Sequence, residues 1–169
     1  SGAAIGNANN IDFATDIVGL LFSQTDVVVP DNMDSRAAQD AMSFYTSFTK
    51  EYNIWNDQFI EASSAFVQGQ VSMIFVPTWN ILDIIQANPN LNIGVAPVPQ
   101  ARPSNPVNWA SFWMYAVPQS SNNTQDAWEF INYISQEPQQ KVLNSIASRY
   151  RQYAAPYALR SLAVEPEIT

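Results

Sequence analysis

Cysteine and histidine are both absent from this chain of 169 residues. Without cysteine there is no disulfide framework, no iron–sulfur cluster and no thiol nucleophile. Without histidine there is no Ser-His-Asp triad, no imidazole general base and no ordinary zinc site. Basic residues are scarce: seven Lys and Arg stand against fifteen Asp and Glu, a formal charge of −8. No basic patch exists to neutralise phosphates, which disfavours nucleic acid as a partner. Five glycines, Gly2, Gly6, Gly19, Gly69 and Gly94, are too scattered for a phosphate-cradling loop. No apolar run reaches the roughly 20 residues of a membrane span. The opening SGAAIGNANN lacks the charged start and apolar core of a signal peptide. It reads as a fusion scar or as a cut within a longer protein. The lack of cysteine fits an extracytoplasmic protein and a cytosolic one equally well.

What is present is apolar. Hydrophobic residues make up 47% of the chain and aromatics 12%, against 13% charged. Disordered chains are charge-rich and aromatic-poor, so this composition predicts a folded core. The length predicts one domain or two small lobes.

Phe13, Ile17, Leu20 and Leu21 recur at helical spacing and predict a helix over 11–25, with Asp12 and Asp16 on one face. The clearest helix spans 35–52, with the stripe Ala38, Ala41, Tyr45, Phe48 and Tyr52 and an N-cap at Asp34 or Ser35. A third helix is expected near 57–68, opened by Asn56 and Asp57, with Phe59, Ala62 and Phe66 inward and Gly69 just beyond its end. Val71–Val76 is almost wholly apolar and predicts a strand buried on both faces. Thr78 then caps a helix over 79–87, and Leu91–Val98 is another strand. Helix, strand, helix, strand describes an α/β layer with a right-handed crossover. Pro97, Pro99, Pro103 and Pro106 follow as a stiff crossing segment. Val107–Val117 reads as an aromatic-rich strand. Helices over 124–136 (Ala127, Phe130, Ile131 and Ile134 inward) and from Pro138 (Leu143, Ile146, Ala147, Tyr150) precede one short helix before Glu165-Pro166.

Two aromatic clusters carry the candidate chemistry. Trp79 follows the buried strand at its carboxyl end and opens a helix, the place where open α/β sheets hold ligands. Its flat indole suits the C–H face of a sugar ring, and Asn80 and Asp83 suit the hydroxyl rim. Trp79 fits lobe packing as readily. The second cluster is Asn108-Trp109-Ala110-Ser111-Phe112-Trp113, where Trp109, Ser111 and Trp113 share one strand face and Ala110, Phe112 and Met114 the other. One face lines a cleft, or both are buried. Asp12/Asp16 and Glu51/Asp57 have the form of hydrolytic carboxylate pairs. The first pair, at i,i+4, reads more simply as a solvated helix face. Asp31, Asn32 and Asp34 lack the spacing and the glycine of a calcium loop. Asn122-Asn123-Thr124 matches a glycosylation acceptor, a pattern common by chance. No catalytic residue, metal ligand or cofactor site emerges.

Ala65–Gln100 resembles the extracellular solute-binding proteins of ABC importers, family 1, the maltose-binding-protein-like group. The family's blocks appear in order: Ala65, Phe66, Gly69, Met73 and Trp79; then Ile93-Gly94-Val95-Ala96-Pro97-Val98-Pro99; then Trp113, Val117-Pro118 and Ala127-Trp128-Glu129-Phe130-Ile131. The resemblance covers nearly the whole chain. It implies a periplasmic-binding-protein-like (type II) α/β architecture in partial form, a mixed sheet flanked by helices. Residues 1–95 then belong to the second lobe, 96–106 form a hinge or crossing segment, and 107–169 return to the first lobe. Trp79 stands where sugar-binding members place a stacking aromatic. Ala110-Ser111 departs from the Gly-Gly of many members. Members are about twice as long, and the secretion signal or lipid-anchor cysteine of a lipoprotein is missing here, so the chain reads as a fragment.

The expected function is an extracytoplasmic, carbohydrate-binding subunit of an ABC transporter, not an enzyme, with solute held between lobes that close by hinge motion. The expected ligand residues are Trp79, Asn80, Asp83, Trp109, Ser111 and Trp113. Arg149 and Arg151 are the basic exceptions, serving as helix caps or as partners of an acidic group. The expected partners are a sugar or oligosaccharide, a membrane permease, and a second copy of the chain paired through the 107–117 strand. The alternatives are a carbohydrate-active hydrolase using paired carboxylates, or a surface adhesion and partner-binding module.

Overall fold

The computed structural model describes residues 1–149 and 157–162. Tyr150, Arg151 and Glu165-Pro166, named above, lie outside the described residues. The elements are α1 (Ala14–Gln24), α2 (Arg36–Lys50), α3 (Ala62–Val67), α4 (Asn80–Ala87), α5 (Thr124–Ile134), α6 (Glu137–Ser148) and a 3₁₀ turn at Arg160–Leu162. They fall into two compact units, Ser1–Ser111 and Phe112–Thr169. No helix among the described residues is long and apolar enough to cross a membrane.

The helices follow the sequence pattern closely. Ser35 caps α2, its hydroxyl accepting the amide of Ala38 at 3.2 Å. Ala38, Ala41 and Tyr45 then turn inward as the 3.6-residue spacing requires. α3 is shorter than expected because 57–61 forms a turn instead: the Asn56 side chain accepts the amide of Gln58, and α3 opens after Glu61. Its far end is a complete Schellman motif. Gly69, at φ +71°, donates to Phe66, and Gln70 reaches back to Ala65.

The first unit is held by one apolar cluster. Ala4, Ile5, Ile11, Ala14 and Ile17 meet Tyr45 of α2, Trp55, Ala62 and Ala65 of α3, and Val71. Trp55 has no exposed surface and stacks on Phe59 at 4.4 Å between ring centres. Its indole N–H donates to Asn10 Oδ1 at 2.7 Å, and Asn10 Nδ2 donates to the carbonyls of Asn56 and Phe59. The backbone carbonyl of Asn10 accepts the amide of Ala62 and so fixes where α3 begins. Phe22, Val27, Ala38 and Ala41 form a smaller cluster at the α1–α2 contact.

The expected mixed sheet is not there. Among the described residues the only β-type pairing is an isolated parallel bridge between Ala3 and Met73. Residues 71–76, 91–98 and 107–117 carry no ladder, so the α/β layer and the crossover read from the sequence are overturned. Apolar runs favour strands, but a strand exists only when a second backbone satisfies its N–H and C=O groups. Ser1–Ala4 alone lies beside Gln70–Met73, through Ser72 N to Ser1 O and Ala4 N to Met73 O. Of the supposed doubly buried strand, Val71 is buried while Met73 is largely exposed. Pro97, Pro99, Pro103 and Pro106 further remove donors from the crossing segment. Side-chain amides hold that segment instead. Gln24 donates to the carbonyls of Pro99 and Val107 and accepts the amide of Ala101, while Gln100 accepts the amide of Val107.

In the second unit α5 and α6 pack on each other but bury no residue. Phe130, Leu143 and Ile146, expected inward, are exposed, because no further layer covers their face among the described residues. Phe112, Trp113, Met114 and Tyr115 are exposed as well.

Two predictions test the first unit. Asn10→Ala strands the buried Trp55 N–H and two carbonyls, and should cost about 3 kcal/mol in urea unfolding. Tyr45 is buried and donates to the Asn7 carbonyl at 2.6 Å. Burial raises its pKa above the ordinary 10.0, with a backbone hydrogen bond at Gly6 acting the other way. A raised folded pKa means that this stability is complete below pH 10.0 and fades as pH climbs through the folded value. Tyr45→Phe should lose about 1 kcal/mol at neutral pH. It should also show a shallower alkaline decline than the parent, measured as urea midpoints up to about pH 11.

Candidate functional site

Trp79 is the N-cap of α4, and its indole is 52% exposed. The segment before it is not a strand, so the argument that placed Trp79 beyond a sheet edge falls. What the structure provides is local. Asn80 N donates to Pro77 O and Ile81 N to Thr78 O, closing the turn that presents the indole to solvent. The Thr78 side chain makes no cap bond, in contrast to the sequence expectation.

Next to this turn, α3 and α4 form an open depression of about 230 Å³ lined by Ser63, Ser64, Val67, Gln68, Asn80, Asp83, Ile84 and Ala87. Its floor is apolar, through Val67 and the buried Ile84, and its rim is polar. Asn88 Nδ2 donates to Val67 O at 3.0 Å and ties the far end of α4 to α3. Polar groups line up across the rim. Asp12 Oδ2 accepts both the amide and the hydroxyl of Ser63, at 3.0 and 2.8 Å. Ser63 Oγ meets Asn80 Oδ1 at 3.5 Å, and Asn80 Nδ2 meets Asp83 Oδ2 at 3.5 Å. These last two contacts are longer than ordinary hydrogen bonds, and the single Ser63 hydroxyl proton already goes to Asp12. The Asn80 side chain is thus left without a short hydrogen bond.

The structure places Asn80 and Asp83 in one depression with Ser63 and Gln68, which sequence reasoning did not single out, while Trp79 precedes Asn80 in the chain and is not among the lining residues. Ser63 carried no signal of its own, since its partner lies 51 residues away. The acidic pair Asp12/Asp16 is not an idle solvated face: Asp12 grips Ser63, and Asp16 accepts the indole N–H of Trp109 at 2.7 Å.

Trp109 is 47% exposed and does not line this depression. Its ring lies on α1 over Gly19, so close that a Cβ on Gly19 would meet it at 2.7–2.9 Å. Ser111 and Trp113 are exposed. Of the second carboxylate pair, Asp57 accepts the Asn7 and Asn9 amides and serves the fold. No three potential metal ligands gather among the described residues. In the second unit an open depression of about 630 Å³ is lined by Gln125, Trp128, Glu129, Ile131, Asn132 and Ser135. All six belong to α5 and its C-cap, so no second wall faces a ligand there.

Compared with known families, residues 4–151 match the one described as bacterial extracellular solute-binding protein. No curated protein and no solved structure matches.

Gly19→Ala should displace Trp109 and cost about 1–3 kcal/mol by overpacking. In a Trp109→Ala background the same change should cost nearly nothing. The double-mutant cycle, read from urea unfolding, measures that coupling.

Proposed function

The chain belongs to the bacterial extracellular solute-binding proteins, and on that premise we propose that it captures a small carbohydrate outside the cytoplasmic membrane for delivery to an ABC importer permease. The family supports an extracytoplasmic location and a small-molecule ligand. What supports the sugar reading is the half-exposed Trp79 at the start of α4 together with the polar groups Ser63, Gln68, Asn80 and Asp83 that line the depression between α3 and α4. A pyranose offers an apolar C–H face to an indole and a ring of hydroxyls to neutral amides and hydroxyls. Neutral partners dominate that rim, which suits a polyol.

Binding, not turnover, is the role assigned. Hydrolysis needs two carboxyl groups flanking a bond, one of them buried enough to stay protonated. Here Asp83 is exposed, Asp12 is committed to Ser63, and Asp16 to Trp109. The mode of action within this proposal is closure over the solute. A ligand drives closure only by binding the closed form more tightly than the open one.

Titration with mono- and oligosaccharides to about 100 mM should quench tryptophan emission, a range that detects binding worth as little as about 1.5 kcal/mol. Trp79→Ala should abolish the quenching while leaving the unfolding transition in place. Release of reducing ends from any sugar in the panel, or undiminished quenching in the variant, would overturn the assignment.

A further inference from the structure

We propose that the joint between the two units is Ala110–Val117, and that Gln24 and Trp109 clasp the preceding crossing segment onto α1 so that it moves with the first unit. This inference concerns the connection and not the ligand, so it stands whether or not a sugar binds. The resemblance of the sequence puts the bend earlier, at 96–106.

The crossing segment is bonded to α1 at both ends. Gln24 is buried at the last position of that helix. Its Nε2 donates to the carbonyls of Pro99 and Val107 at 3.0 and 3.2 Å, and its Oε1 accepts the amide of Ala101 at 3.0 Å. Letting the segment go would leave a buried amide unpaired, which disfavours release. Gln100 holds the segment to itself: its Oε1 accepts the amide of Val107 at 2.7 Å, and its Nε2 donates to Asn108 Oδ1 at 3.3 Å. Trp109 closes the clasp. Its indole N–H donates to Asp16 Oδ1 at 2.7 Å, and its ring rests on Gly19. α1 is itself fixed in the core, with Ala14 and Ile17 in the larger apolar cluster and Phe22 in the smaller. A bend within 99–109 would have to break these contacts together.

The character of the chain changes at the next residue. Ala110–Ala116 are exposed throughout. Among the described residues, none from Ala110 to Val117 takes part in a hydrogen bond. The division into compact units falls here too, between Ser111 and Phe112. Motion is drawn to the stretch with the fewest contacts to break, and that stretch begins where the clasp ends.

NMR relaxation of the whole chain, read residue by residue, tests the placement. Order parameters should stay at about 0.85 for Gln100, Ala101 and Val107 and fall below about 0.6 within 110–117. Gln24→Ala should make the Ala101 amide exchange with solvent about tenfold faster, as the loss of one ordinary hydrogen bond allows, while the Tyr45 amide in α2 keeps its rate. Asp16→Ala leaves the buried core untouched and tests the other end of the clasp even if Gln24→Ala unfolds the unit. It should speed exchange of the Trp109 indole N–H by about tenfold. Low order parameters over 99–107, high ones over 110–117, or unchanged exchange at Ala101 and Trp109 in the two variants would overturn the proposal.

Discussion

The hydrogen bond between the Trp55 indole and Asn10 anchors the first unit. A fully buried indole must place its single donor, and a buried asparagine must satisfy both an acceptor and two donors. Here each solves the other's problem. Asn10 also takes in the carbonyls of Asn56 and Phe59, and its own carbonyl receives Ala62. Four bonds from one residue thus pin the chain from 55 to 62 against the N-terminal segment. α3 begins where they end. Asp12, two residues beyond Asn10, is thereby brought to Ser63, and Ser63 to Asn80. The position of the groove is a consequence of where a tryptophan found its partner.

The helices were legible because their determinants are local. Ser35 caps α2, Gly69 ends α3 in a left-handed residue, and the stripe Ala38, Ala41, Tyr45 faces inward, each within a few residues of the signal that announces it. The sheet was misread for the opposite reason. Val71–Val76 and Val107–Val117 have the composition of strands, but composition says nothing about whether another backbone arrives alongside. The same divide runs through the site. Trp79, Asn80 and Asp83 are neighbours in sequence and could be grouped on sight. Ser63 joins them only through the tertiary fold. Nothing in the sequence showed that Trp109 rests on Gly19 and bonds to Asp16, about ninety residues earlier.

Glutamine does in this chain what a β-ladder would otherwise do. The proline-rich segment after residue 96 has few donors to pair. Gln24, buried at the end of α1, supplies two N–H bonds and one acceptor to it, and Gln100 supplies another acceptor. A buried amide is costly unless its capacity is used. Gln24 meets that condition by holding Pro99, Ala101 and Val107 at once. The crossing segment is therefore ordered by two side chains, without strand pairing.

On the proposed carbohydrate reading, the openness of the groove sets a ceiling on how tightly a sugar could be held. Covering the exposed half of the Trp79 indole removes about 100 Å² of apolar surface, worth about 2.5 kcal/mol. Three hydrogen bonds to Ser63, Gln68 and Asn80 add about 1 kcal/mol each. Immobilising the solute costs about 4 kcal/mol or more. What remains is at best about 1.5 kcal/mol, a dissociation constant near 0.1 M. Affinity beyond that level requires a second surface to cover the other face of the ring, because one wall of small neutral groups cannot supply it. Closure, in this view, is what separates capture from mere contact.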